Sequence, residues 1–264
     1  MFTPEDHTFI LCAYGASPYL EECLKSLLSQ TVKTNVLIST STPNEHIVEI
    51  AESYGVGLFT NDGAPSISYD WNCAISRCAT PLVTIAHQDD VYLPDFVEET
   101  LSAFNVANTP LIAFTDYFEL REGRRIDRNR LLNIKRFLLF PLRFRMLRSS
   151  IIIRRLTLSV GSPICCPSVT YCVNNLSSPY FLSGMKSNLD WEAWERFSKV
   201  EGAFLYIPKI LMGHRIHDGS ETTALIQDET RAREDLAMLG KFWPKQIASF
   251  INRFYASGMD SNRL

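Results

Sequence analysis

The first 110 residues alternate short, wholly apolar runs with amphipathic stretches, and that alternation leaves few folds open. Thr8-Phe9-Ile10-Leu11-Cys12-Ala13, Val36-Leu37-Ile38, Gly57-Leu58-Phe59 and Pro81 to Ala86 read as strands buried on both faces. Ser17-Pro18 signals a helix start, and Leu20, Cys23, Leu24, Leu27 and Leu28 then fall on one helical face. Thr42-Pro43-Asn44-Glu45 has the capping-box spacing with proline at the first helical position, ahead of Ile47, Val48, Ile50 and Ala51. Asp70 to Ala79 reads as a third helix, and Pro94 opens a fourth with Phe96, Val97, Leu101 and Phe104 inward. Strands alternating with helices predict an α/β fold, a mainly parallel Rossmann-like sheet with helices on both faces. Ligands of such sheets bind at the carboxyl ends of the strands.

At that position the fourth strand ends in His87-Gln88-Asp89-Asp90. Adjacent carboxylates repel unless positive charge lies beside them. A hard divalent cation suits oxygen ligands and bridges to phosphate oxygens. A plainer account is a solvated loop whose acids favour the N-terminus of the helix near Pro94. Further on, Asp190 precedes Trp191, Trp194 and Phe197 at helical spacing. It either helps that helix start or, held rigidly by packed indoles, takes a proton from a hydroxyl. His214-Arg215-Ile216-His217-Asp218-Gly219-Ser220 follows a strand, Phe204 to Ile207, and a proline turn at Pro208. Two histidines and an arginine beside a glycine loop are candidates for a phosphate or metal site.

Four stretches, in order, resemble family 2 glycosyltransferases. Phe9 to Gln30 is similar to the opening strand, aromatic turn and first helix, and Asn61 to Asn72 to the glycine loop and helix that close over the donor. The strand ending in His87-Gln88-Asp89-Asp90 resembles the metal-binding Asp-x-Asp-Asp, and Asn188 to Phe197 the segment carrying the catalytic base. The resemblance implies a GT-A fold and inverting, metal-dependent transfer of a sugar from a nucleotide-sugar donor. It implies Asp190 as base and Asp89, Asp90 and His217 as ligands of Mn²⁺ or Mg²⁺. It further implies Tyr14, Thr40, Asp62, Asn72, Asp89 and Arg215 as donor contacts. A glycan or lipid-linked acceptor, in cell-surface polysaccharide synthesis, follows by analogy with similar bacterial chains. The pattern departs twice: His87 replaces the first acid, and the second strand ends in Ser39-Thr40-Ser41-Thr42 where an acid usually meets the nucleobase. Hydroxyls hold a base more weakly than a carboxylate. A nucleotidyl or phosphoryl transferase, a degenerate binding module and an adaptor using only its basic segment remain the rival readings.

Between Arg121 and Arg155 lie twelve Lys/Arg and two Asp/Glu, a local +10 in a chain whose net charge is −3. The overall balance speaks against nucleic-acid binding. Apolar runs 137–140 and 151–153 alternate with those arginines, which fits either an anionic membrane surface or a helix pair whose arginine stems cover the core. No run approaches the length of a membrane span, residues 1–7 do not begin like a secretory signal, and the seven cysteines include no CxxC pair. Reduced thiols in a cytoplasmic protein, peripheral at the inner membrane face if the basic segment docks there, are therefore expected. The expected organisation is a nucleotide-sugar-binding half (1–115), a basic/apolar helical segment (116–155), a smaller acceptor-side half with the base (156–225) and a C-terminal helical tail (226–264). In that tail Leu236, Leu239, Phe242 and Trp243 share helical spacing.

Overall fold

Strands β1 (His7–Ala13), β2 (Asn35–Thr40), β3 (Gly57–Thr60) and β4 (Leu82–His87) lie parallel in the order β3-β2-β1-β4 in the computed structural model. It describes residues 1–217 and 230–259, with side chains as far as 253. Between these strands run α1 (Leu20–Leu28), α2 (Glu45–Tyr54) and α3 (Ile67–Arg77). The sheet continues beyond β4 through β8 (Val169–Cys172), β6 (Pro110–Arg121), β9 (Ala203–Ile216) and β5 (Val91–Tyr92), with β7 (Arg124–Ile126) hairpinned onto β6. β8 is antiparallel to both neighbours, whereas β6 and β9 run parallel to each other. Strands from the two expected halves thus share one nine-stranded sheet.

Side chains alternate between faces along a strand, and β1 shows the consequence. Phe9 and Leu11 join a core with Leu20, Leu24, Ile47 and, from α4 (Phe96–Asn105), Phe104. Ile10 faces the opposite core, which holds Ala74 and Ile75 of α3 and Trp191 and Trp194 of α7 (Leu189–Phe197). Helices therefore cover both faces, as the apolar runs required. Three further helices join the second core: α5 (Arg130–Leu139), α6 (Ile151–Leu158) and α8 (Thr230–Leu239). A last helix, α9 (Lys245–Met259), buries Ala248 there.

Three local expectations are corrected. Helix α2 is capped by Asn44, whose side chain accepts the Ile47 N–H, while Thr42 accepts the Gly15 N–H at 2.7 Å. The hydroxyl is drawn to the turn after β1, where Gly15 has φ +61°. Helix α3 starts at Ile67 because Ser66 caps it, three residues ahead of Asp70. Pro208 does not end a strand. β9 runs through it, and the pairing slips there, from Thr115 with Ile207 to Asp116 with Ile210. A proline is tolerated within a sheet at such an irregularity, where no ladder bond needs its missing N–H. Continuation of β9 is what carries His214 and Arg215 to the end of β4.

Candidate active site

β4 delivers His87-Gln88-Asp89-Asp90 to the carboxyl end of the sheet, and β9 brings a second set of polar groups alongside. Asp90 is fully buried. Its Oδ1 accepts the backbone N–H of Arg215 at 2.9 Å and lies 3.0 Å from His214 Nδ1. Burial lowers the proton affinity of His214, but the charge and hydrogen bond of Asp90 outweigh it and hold the imidazole above its ordinary value. Asp90 Oδ2 has no hydrogen-bond partner and lies 4.0 Å from His87 Nδ1. His87 is stacked on Trp71, with ring centroids 5.1 Å apart, and burial pushes its pKa down. Asp89 is more open. Its Oδ2 lies 3.2 Å from His217 Nε2, and its carbonyl accepts from Arg215 Nε at 2.8 Å. Arg215 also binds Glu22 of α1 at 2.6 Å and lies over the Tyr19 ring. Asp218, Gly219 and Ser220 of the same sequence motif fall outside the described residues.

The neighbouring surface is built on β1, β2 and α3. Gln88 clasps the turn after β1 by accepting the Tyr14 N–H and donating to the Tyr14 carbonyl, which leaves the Tyr14 ring 62% exposed. Thr40 is buried; its hydroxyl accepts the Thr42 N–H and its carbonyl the Asn61 N–H. In place of an acid at the end of β2, the carboxylate of Asp70 reaches across from α3, accepting from Ser41 Oγ and Asn61 Nδ2 at 3.0 Å each. Asp62 is exposed in the loop before α3. Asn72 points elsewhere: its amide donates to the carbonyls of Ser68 and Phe181 and accepts the N–H groups of Tyr180 and Phe181. Those bonds use all its polar atoms in bracing a distant segment.

Asp190 stands at the first turn of α7, its Oδ1 accepting the Trp191 N–H at 2.7 Å. Trp191 and Trp194 behind it are fully buried. Burial raises the Asp190 pKa, with the Trp191 N–H opposing. Burial raises the Cys165 thiol, and the charges of Asp90 and Asp190 push it the same way.

Glu234 of α8 has no counterpart in the sequence reading. Its carboxylate accepts the N–H groups of Lys186, Ser187 and Asn188 at 2.8, 2.8 and 3.1 Å, and the neighbouring Asp235 accepts from Asn188 Nδ2 at 2.7 Å. The tail is thereby locked onto the segment that leads into Asp190. Replacing Glu234 with Ala leaves three amides without their acceptor and should cost about 2–3 kcal/mol. Urea denaturation would measure that loss; an unchanged midpoint would mean that water replaces the carboxylate.

A sequence-family model described as glycosyl transferase family 2 matches residues 8–167. The chain belongs to that family. It is an enzyme, a glycosyltransferase, and solved glycosyltransferases share its GT-A fold. TarS of S. aureus (residues 1–349, with UDP-GlcNAc) is 14% identical with a TM-score of 0.59, over 94% of this chain and 70% of that one. The mannosyltransferase PcManGT of Pyrobaculum calidifontis, in complex with GDP-Man and Mn²⁺, is 13% identical at TM-score 0.64, over 98% and 74%. Glucosyl-3-phosphoglycerate synthase of Mycobacterium tuberculosis, with Mn²⁺, UDP and phosphoglyceric acid, is 12% identical at 0.58, over 89% and 79%. No curated protein matches this glycosyltransferase in sequence. Among the described residues no group of three His, Cys, Asp or Glu side chains is arranged to hold a metal, and no helix is long and apolar enough to cross a membrane.

Proposed function

We propose that this glycosyltransferase moves a sugar from a nucleotide-sugar donor to an acceptor hydroxyl with inversion at the anomeric carbon, aided by Mn²⁺ or Mg²⁺. The observation that carries this reading is the Asp89–His217 pair, 3.2 Å apart at the strand ends. The Asp89 carboxylate and the His217 imidazole would hold Mn²⁺ or Mg²⁺, an oxygen and a nitrogen donor that suit such a cation. The cation, when bound, offsets the negative charge that grows on the departing nucleoside diphosphate. The Mn²⁺ held by two similar structures supports the choice of metal.

The protein's own groups do the rest. Asp90 fixes the backbone of Arg215 and the ring of His214, so that Asp89 and His217 face each other before donor arrives. Arg215, held by Glu22 and the Asp89 carbonyl, puts a fixed positive charge beside the diphosphate. Gln88 shapes the turn that presents Tyr14, and the Ser39-Asn61-Asp70-Ser41 chain lies where the nucleobase would be read. Asp190 accepts the proton of the acceptor hydroxyl as that oxygen attacks the anomeric carbon opposite the leaving group. The acceptor is a glycan or lipid-linked glycan of cell-surface synthesis.

The first test is thermal stability with UDP, GDP, dTDP or CMP, each with and without Mn²⁺. A nucleotide at a hundred times its dissociation constant adds about 2.7 kcal/mol, roughly 5–10 °C in a chain this size. One nucleotide is expected to give that shift, only with Mn²⁺, and Asp89→Asn should abolish it. No shift with any nucleotide would sink the donor assignment.

A further inference from the structure

We propose that α5, α6 and the two turns between them form a docking surface for an anionic lipid bilayer. The segment enters at the site end, where the Asn129 amide and Arg121 bind Glu119, and reaches the opposite end, where the Arg148 carbonyl accepts the Phe204 N–H. Leu132, Leu139, Leu142 and Leu158 anchor it in the core. Other apolar side chains of the segment stay outside. Phe137 is 77% exposed, Met146 86% and Ile152 77%, while Phe140, Phe144 and Leu156 are each about half exposed. Along α5 the exposed positions Arg130, Asn133, Ile134 and Phe137 recur at three- and four-residue spacing and lead on to Phe140. They form a stripe opposite the anchoring leucines. The Phe140 and Phe144 rings touch edge to face, and Arg143 lies over Phe140.

The arginines sort into two groups. Arg136 pairs with Asp116, Arg155 with Glu195, and Arg154 is buried against backbone carbonyls, so these serve the interior. Arg143 and Arg145 are exposed amid the apolar chains, and neither makes an ion pair with a described carboxylate. Stems covering the core therefore account for part of the basic segment and leave Arg143 and Arg145 with their charges at the surface.

Aromatic and aliphatic groups interleaved with unpaired arginines match the boundary between lipid headgroups and acyl chains. A second copy docking face to face would bring the same arginines against each other, which disfavours that occupant. The turn before α9 meets α6 through the Arg155–Lys241 and Trp243–Ser159 bonds. Nothing in this surface depends on the donor site, so it stands or falls separately from nucleotide binding.

The test is co-sedimentation of the full chain with phosphatidylcholine vesicles, with and without phosphatidylglycerol. Three proteins are compared: wild type, R143Q/R145Q and F137S/F144S/I152S. All five positions are surface positions, and thermal melts of each variant with and without nucleotide confirm that the fold and donor site are intact. Wild type is expected to pellet only with phosphatidylglycerol present, and less so as salt is raised. The arginine variant should partition about thirtyfold more weakly, and the serine variant on the order of tenfold more weakly per side chain. Wild type remaining in the supernatant, or a serine variant that binds as wild type does, would overturn the proposal. So would a lipid-free dimer that the serine variant dissolves, since the patch would then belong to a second copy.

Discussion

Asp190→Asn is expected to lower single-turnover sugar transfer by about a thousandfold while leaving the nucleotide-induced thermal shift in place. Asparagine keeps the shape of the side chain and an oxygen for the Trp191 N–H, so α7 should start as before. What it lacks is a basic oxygen. The two buried indoles behind the carboxylate allow little drift, so another base cannot easily take its place. The same burial has a pH consequence. If Asp190 is the proposed base it must be charged to accept a proton, and burial raises its pKa, so kcat/KM should be full above that value and fall as pH drops through it. The acid limb is thus expected above the ordinary aspartate range. Full activity in the asparagine variant would move the base elsewhere.

Asp90→Ala should instead unfold the site before it affects chemistry. The side chain is fully buried and receives both His214 and the Arg215 N–H. Removing it leaves a half-buried imidazole and a buried amide without their acceptor, at a cost of about 2–4 kcal/mol. For a chain of this size the midpoint should fall by roughly 10 °C. Asp90→Asn retains an oxygen for the amide and should lose much less. Calorimetry with and without Mn²⁺ separates this bracing part from direct ligation. Were Asp90 chiefly a metal ligand, its alanine variant would keep the metal-free midpoint of the wild type and lose only the response to Mn²⁺.

Much of the fold was legible because strands buried on both faces must be apolar throughout, and the helices between them must carry one apolar stripe. That pattern is local, and it placed β1 to β4 and their helices within a few residues. That Asp89 follows a doubly buried strand and Asp190 opens a helix was legible for a related reason, since both placements follow from neighbours in the chain; the roles proposed for them rest on the family resemblance. The misplacements were local too. Thr42 had two possible partners and took Gly15, and Pro208 fell where a slip in pairing made its missing N–H harmless.

What no window of sequence contained was the choice of distant partners. His214 and Arg215 meet Asp90 because β9 continues past its proline alongside β6. Asn72 resembles a donor contact in sequence, yet its amide is consumed by Phe181, more than a hundred residues away. Glu234 caps the approach to Asp190 only because α8 packs into the second core. Even the exposure of Phe137 and Ile152 depends on which face of their helices the sheet covers. Periodicity and caps are properties of consecutive residues and are written in the chain. Which buried donor meets which acceptor depends on strand order and on how the sheet closes, and those exist only once the tertiary structure has formed.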